Sequence, residues 1–475
     1  MATAGPARDR NDALRTPVAA DAKRSAQVAD QIIEDVMALG WPVGTFLGTE
    51  AELLERYSVS RAVFREAVRL IEHQQVARTR RGPGGGLRIT EPTTDAVVEA
   101  VVLYLHRVDA RLDEVVEARL VLEELATRLA CERADEPERA ALRDIARHTQ
   151  TDLSDARGLH LLLARASKNL ALELFVGVLD ETANLYSTNW KAVGKGVTTD
   201  TAHAHARIAE AVLAGEPDLA SRRMRKHLEA EAAYLRRRRS TRQQLPTAAV
   251  LSEMTNGKRA EATARRITHE LVTAKLQPGE LVGAESDLMV RTGVSRAVLR
   301  EAVRLLEHHG VARMRRGPGG GLFVAEPNPF AVTDVAAIYL ARHGMQLDDL
   351  SELRTAVEAS LAEMAATRAG DGKVEALEEA LHRETGGNPD DVHDVHTVVA
   401  SMAGNRALEL VALVLIRLSR IRQIERVPAA RRRQMAAEVH RAHTAIAHAV
   451  TRGDAQVARH RMQRHLDALG AVTRG

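Results

Sequence analysis

The segment SRAVFREAVRLIEHQQVARTRRGPGGGL, starting at Ser60, returns as SRAVLREAVRLLEHHGVARMRRGPGGGL from Ser295, with five differences in 28 positions. The offset of 235 residues is close to half of the 475-residue chain, so one unit is written twice. Solenoid repeats have periods of about 20–50 residues, and a unit this long has room for two small domains of its own. The fold must therefore contain the same pair of domains twice. They join where helical periodicity lapses, in STRQQLPTAAVLSEMTNG at 240–257.

Each unit opens with three helical patterns and a hairpin. In SAQVADQIIEDVMALG the residues Val28, Ile32, Ile33, Val36 and Leu39 form an apolar stripe, ended by Gly40 and Pro42. TEAELLERY begins a second helix with Thr49 as its cap. The third, SVSRAVFREAVRLIEHQ, buries Val63, Ala67, Leu70 and Ile71 and places Arg61, Arg65 and Arg69 together on the opposite face. Arg296, Arg300 and Arg304 repeat that stripe. VARTRR and LRIT then flank the glycine cluster as two short strands around a turn. A nucleotide-binding Walker loop would need Lys and Ser/Thr after its last glycine, to reach phosphate and magnesium. Leu87-Arg88 and Leu322-Phe323 stand there instead.

Three helices and a basic hairpin spell a winged helix-turn-helix. Its third helix enters the major groove, where Arg reads guanine edges or holds phosphates. A turn bare of side chains at Gly82 and Gly317 lets Arg80, Arg81, Arg315 and Arg316 approach the sugar–phosphate wall. An Arg stripe alone is more often a solvated helix face. The charge distribution tips the balance: residues 56–90 carry +6 and residues 291–325 carry +5, although the whole chain is only +3. Two basic islands in an acidic remainder suit a polyanion partner.

The rest of each unit is helical by pattern. Aromatics are only 3% of the chain, which favours helices packed through Leu, Val and Ala. Lone Cys131 rules out an internal disulfide framework and points to the reducing cytoplasm, and no stretch is apolar enough to span a membrane or serve as a signal peptide. His160, His205 and His227 recur as His396, His443 and His465, with 22 residues between the last two in each copy. Three imidazoles from three helices suit zinc, nickel or another late first-row ion; packing or hydrogen bonding is the alternative.

VSRAVFREAVRLIEHQQVARTRRGPGGGL resembles the VSRxxVREALRxLexxGLVxxxxGxGxxV core of the GntR superfamily of bacterial transcription regulators, and the PGGG wing resembles its FadR-like branch. EARLVLEELATRLACERA and ELRTAVEASLAEMAATRA, with the later paired segments HARIAEAV and HTAIAHAV, resemble the FCD effector domain of that family. The resemblance implies a mainly α fold: two winged helix-turn-helix domains, each with a small β-hairpin wing, alternating with two antiparallel helix bundles. The expected divisions are a disordered tail at 1–23, winged domains at 24–91 and 258–326, bundles at 92–239 and 327–475, and the linker at 240–257.

Carried over by position, the family's DNA contacts fall on Arg61, Arg65 and Gly82 and on Arg296, Arg300 and Gly317. The further Arg usual in the family's second helix is replaced by Ala51 and Ser286, and the Asp that serves as its fourth metal ligand by Ala156 and Val392. Asp155 and Asp391 lie one residue further back, pointing elsewhere on an ideal helix, and His393 offers a substitute in the second copy only. Arg119 and Arg354 are candidate anchors for an effector carboxylate, with salt bridges to Glu123 and Glu358 as the competing reading.

The implied function is a ligand-responsive transcription factor, a repressor, binding a double-stranded DNA operator and a small carboxylate. Its bundles would pair within one chain as a pseudo-dimer, with further homodimerisation open. An architectural DNA-binding protein with vestigial sensors is the alternative. A metal-dependent enzyme is disfavoured, because no nucleophile–base pair, H-E-x-x-H pattern or cofactor loop accompanies the histidines.

Overall fold

The computed structural model describes residues 17–80, 82, 84–147, 153–186, 195–238, 259–308, 310–315, 317–368, 371–385, 394–423 and 429–474. The fold is mainly α, with two winged helix-turn-helix domains alternating with two helix bundles. The chain divides after Thr93 into two units.

The first unit contains α1 (Pro17–Ala38), β1 (Phe46–Gly48), α2 (Glu50–Tyr57), α3 (Arg61–His73), β2 (Ala77–Arg80) and β3 (Gly86–Ile89). Helix α1 starts inside the stretch expected as a tail. Pro17 occupies the first helical position, where a missing N–H costs nothing, and the Ala-rich run behind it continues the helix. Residues 1–16 and the expected linker at 240–257 lie outside the described residues. Thr49 and Glu52 form a capping box on α2, and Ser58 ends that helix in the left-handed region. Helix α3 buries Val63, Phe64, Ala67 and Ile71, while Leu70 is only half-buried; Leu39 lies beyond the end of α1 and is exposed.

The wing is a three-stranded antiparallel sheet in the order β1-β3-β2. The expected hairpin pairs Arg78 with Arg88 and Arg80 with Gly86, and β1 adds a third strand that is too short to show alternation in sequence. The glycine cluster meets two demands. Gly82 has φ +100°, and a Cβ on Gly85 would stand 2.6 Å from the carbonyl oxygens of Arg80 and Gly82.

The second unit opens with a bundle of α4 (Thr94–Arg107), α5 (Leu112–Arg133), α6 (Glu136–Arg147), α7 (Leu153–Ala166), α8 (Leu170–Tyr186), α9 (Lys195–Leu213) and α10 (Pro217–Arg238). Leu142, Leu159, Leu163, Ile208, Val212 and Met224 are among its core. The second winged domain follows with α11 (Arg259–Thr273), β4 (Leu281–Gly283), α12 (Glu285–Thr292), α13 (Arg296–His308), β5 (Ala312–Arg315) and β6 (Gly321–Val324). The second bundle is α14 (Pro329–Arg342), α15 (Leu347–Arg368), α16 (Asp371–Glu384), α17 (Asp394–Met402), α18 (Arg406–Gln423), α19 (Ala429–Thr451) and α20 (Ala455–Arg474).

The second winged domain is tied to α4. Leu103 joins its core beside Ile267, Leu271, Leu299 and Leu322. Arg107 donates to the backbone carbonyls of Gly310 and Ala325. At the matching carbonyls of the first winged domain, Gln75 accepts from Thr90 Oγ1 and Thr90 accepts from Trp41 Nε1, each at 2.7 Å. Leu276 and Ala325 hold the positions of Trp41 and Thr90 in the second copy and carry no side-chain donor, and Arg107 meets those carbonyls instead.

The two bundles meet through equivalent residues used reciprocally. Asn169 Nδ2 donates to the carbonyl of Asp349 at 2.9 Å, and Asn405 Nδ2 donates to that of Glu114 at 3.0 Å. Arg133 pairs with Glu352 at 2.9 Å, and its counterpart Arg368 with Glu117 at 2.6 Å. This exchange is the signature of a two-fold interface. It departs from symmetry at Arg406, which holds the buried Glu114 carboxylate through its backbone N–H, Nε and Nη2 at 2.8–3.0 Å and also reaches the carbonyl of Val108. Glu114→Ala is expected to lower stability in urea denaturation by about 1–3 kcal/mol, because it takes the charge-assisted hydrogen bonds from Arg406, which is itself partly exposed. A change under about 1 kcal/mol would show that the contact contributes no more than an exposed pair.

Candidate functional site

Two kinds of site emerge, one on the winged domains and one inside each bundle. On α3, Ser60 caps the helix by accepting from the Val63 N–H and so fixes where the basic face begins. Arg61 and Arg65 lie exposed one turn apart, both with Nε near Glu50 Oε1, at 3.5 and 3.2 Å. Arg296 and Arg300 share Glu285 in the same way, at 3.3 and 3.1 Å. Arg69 and Arg304 pair instead with Glu66 and Glu301, both at 2.8 Å. Exposed pairs of this kind are weak, so a phosphate or base edge can displace the carboxylate. Arg80 closes the hairpin opposite Gly86, while Arg315 lies over the Phe323 ring, 4.3 Å from its centroid. Gly82 and Gly317 share φ +100°. Arg81 and Arg316 lie outside the described residues.

Inside the first bundle, α7, α9 and α10 bring His160, His205 and His227 together, all buried. The Nε2 atoms of His205 and His227 are 3.1 Å apart, and those of His227 and His160 are 3.3 Å apart. In the second bundle the Nε2 of His443 lies 3.1 Å from that of His396 and 3.0 Å from that of His465. Ligands about 2.0–2.1 Å from a shared zinc ion stand some 3.0–3.4 Å from one another, depending on the angle at the metal.

The outer nitrogens set the tautomers. His160 Nδ1 bonds Glu123, His396 Nδ1 bonds Glu358, and His443 Nδ1 meets Glu384 at 2.8 Å. A neutral imidazole that donates from Nδ1 to a carboxylate has only a lone pair at Nε2. The Nε2 atoms of His396 and His443 are then two acceptors in contact, an arrangement that requires a cation or a proton beside them. Burial and the neighbouring imidazoles resist the proton. They push His205 down to about 2, His227 to about 3 and His465 to about 2, and they hold His443 below its ordinary value despite Glu384. His160 moves the other way: burial lowers it, but Glu123 more than compensates. The donor set therefore fits a divalent ion. The side chains of Asp155 and Ala156, and residues Asp391, Val392 and His393, lie outside what is described.

The arginines behind the triads differ. Burial works against the Arg119 charge, yet Glu123 at 2.7 Å, Glu231 at 3.1 Å and Asp180 at 3.6 Å raise its pKa above the ordinary value. Arg354 has Glu358 at 2.5 Å and Ser419 Oγ at 3.2 Å. Glu123 and Glu358 each bridge an arginine and a histidine; burial raises their pKa, but these partners bring it down to about 2.

The sequence profile of the FCD domain matches residues 114–230 and again 349–468, and that of bacterial regulatory proteins of the gntR family matches 259–324. The chain carries a winged domain of the GntR family and, twice, the FCD domain. Its first winged domain enters through the near-identity of the two repeats. These are profiles of transcriptional regulators, not of enzymes. A 123-residue stretch is 32% identical to RmpR of Mycobacterium gastri, named as an HTH-type transcriptional regulator, covering 26% of this chain and 44% of that one. A 159-residue stretch is 30% identical to YcbG of Bacillus subtilis, named likewise, covering 32% and 64%. The matches thus span less than two thirds of either relative. Among solved structures, a GntR protein of Streptococcus agalactiae aligns with 45% of this chain and 99% of its own at 23% identity and TM-score 0.34. McbR/YncC of E. coli aligns with 46% and 98% at 15% identity and TM-score 0.24.

Sequence reasoning named the histidines and the two arginines. It missed Glu384, Asp180 and Glu231, and it saw Glu123 and Glu358 only as arginine partners. The i, i+4 spacing from each arginine was the available signal; nothing local marks a carboxylate that arrives from another helix.

Proposed function

We propose that the chain is a sequence-specific DNA-binding transcription regulator, a cytoplasmic repressor, in which small carboxylates bound in the bundles control operator affinity. The observation that carries this reading is the duplicated pair of exposed arginines on a capped helix, Arg61 with Arg65 and Arg296 with Arg300, each beside a glycine-tipped wing. Each helix offers guanidinium groups to base edges and phosphates, and the wings supply Arg80 and Arg315 as flanking charges. Among the described residues, no helix is long and apolar enough to cross a membrane.

In the bundles, His160, His205 and His227, and His396, His443 and His465, would hold a divalent ion such as zinc or nickel. A bound ion supplies positive charge and open positions for a carboxylate. The reciprocal packing of the bundles supports a pseudo-dimer in which one chain carries both readers of a two-half-site operator. Tethering raises the effective concentration of the second reader once the first is bound. Differences such as Thr49 against Ala284 mean that the half-sites need not be identical.

Footprinting combined with light scattering tests this. One chain per operator, two protected half-sites and release on adding metabolites from the regulated operon are expected. Two chains per operator, each using a single winged domain, would sink the architecture. Operator binding indifferent to every carboxylate tried would sink the sensor.

A further inference from the structure

The two bundles do not present the same site. In the first, three carboxylates surround the buried Arg119: Glu123 from its own helix, Asp180 from α8 and Glu231 from α10. Asp180 stands 11 residues after Asn169, and the residue 11 after the equivalent Asn405 is Ile416. Glu231 stands four residues after His227, and the residue four after His465 is Leu469. The second copy thus has neither carboxylate at these positions, while it has the arginine, its i+4 glutamate and the histidine behind it.

The consequence is visible at one atom. Arg119 Nη2 faces Asp180, whereas Arg354 Nη2 is buried with no hydrogen-bond partner among the described residues. Arg354 as a whole is 5% exposed, with Glu358 on Nε and Ser419 on Nη1. A buried guanidinium N–H without an acceptor is rare and costly, and a ligand oxygen would satisfy it. Asp180 and Glu231 show what such a ligand looks like: carboxylate oxygens delivered to the Nη side of an arginine whose Nε is already taken by glutamate.

We infer that the bundles have divided their labour: the C-terminal bundle takes a small carboxylate at Arg354, and the N-terminal bundle is permanently occupied by its own Asp180 and Glu231. This rests on the reading of the bundles as sensors and adds to it a stoichiometry of one effector per chain. The arginine differs in its partners whether or not the triads hold metal, so the inference does not depend on the ion. The N-terminal bundle then acts as a fixed half of the pseudo-dimer, locked in the liganded arrangement, and the C-terminal bundle as the half that responds.

Calorimetric titration of the full chain with succinate and acetate, at concentrations up to tens of millimolar, tests this. Wild type should bind the better probe at one site per chain. The double variant Ile416→Asp with Leu469→Glu, which rebuilds the first bundle's carboxylates in the second, should lose at least tenfold in affinity, as should Arg354→Gln. The reverse double variant, Asp180→Ile with Glu231→Leu, should raise the stoichiometry from one to two. Because Arg354→Gln changes a buried group, the two carboxylate exchanges keep the test valid if that variant fails to fold. Two equal sites in wild type, or binding unchanged in the Ile416/Leu469 variant, would overturn the division of labour while leaving the sensor reading intact. Absence of carboxylate binding in wild type would overturn both.

Discussion

Replacing Arg61, Arg65, Arg296 and Arg300 together with Ala is expected to abolish operator binding in footprinting, with no loss of helical content. Each side chain is at least 64% exposed and makes only a surface ion pair, so truncation removes little that holds the fold. A bidentate arginine–guanine contact discriminates by about 1–3 kcal/mol, so even at the low end four losses amount to roughly a thousandfold. Removing only one pair should weaken binding at least about tenfold. The salt dependence should flatten by roughly 0.9 in log–log slope for each phosphate contact removed. Glu50→Gln and Glu285→Gln provide the opposite control. They release the arginines from a competing carboxylate, and should strengthen binding to random DNA more than to the operator. Should the quadruple variant still footprint its site, the winged domains are not the readers.

How far these residues could be found without coordinates depends on the distance over which each interaction acts. The duplication, the helical stripes and the arginine faces depend on local periodicity, and they were legible. Strand β1 was not: three residues carry no alternation, and Phe46–Gly48 becomes a strand only because β3 offers an edge. The histidine trios were legible through their repeated spacing. The asymmetry around Arg119 and Arg354 was not, since Asp180, Glu231 and Ser419 reach the arginines across 61–112 residues of chain. The Arg107 clamp is another case: it can be recognised only once Leu276 and Ala325 are seen where the first copy has Trp41 and Thr90. Because α4 belongs to the first bundle and holds the second winged domain, a shift in that helix has a direct route to a DNA-reading element. That route is a packed core and two carbonyl bonds, and it can be tested at Arg107.

The metal centres should leave a signature in both composition and pH dependence. Wild type as purified should contain a divalent ion, and the double variant His205→Ala with His443→Ala should lose it, together with the effector response, while basal DNA binding survives. In chelator-treated protein the imidazoles are left to protonation. His205, His227 and His465 sit near 2–3 in the fold because burial and neighbouring imidazoles oppose their charge. Their unfolded value is about 6.5. A depressed histidine means that the unfolded chain binds the extra proton, so stability is retained above about 6.5 and is lost as the pH falls toward the folded value. Each such group removes up to about 1.4 kcal/mol per pH unit over that window. His160 contributes with the opposite sign. Its raised value, set by Glu123 against the cost of burial, stabilises the fold below about 6.5 and fades as the pH rises through the folded value. Four depressed imidazoles, His443 included, outweigh one raised, so the metal-free protein should lose stability from pH 6.5 to 5, and the His205/His443 variant should show a shallower slope. If urea midpoints of the metal-free protein stay level across that range, and analysis finds no metal in wild type, the histidines are packed groups and the carboxylate at Arg354 must bind without them.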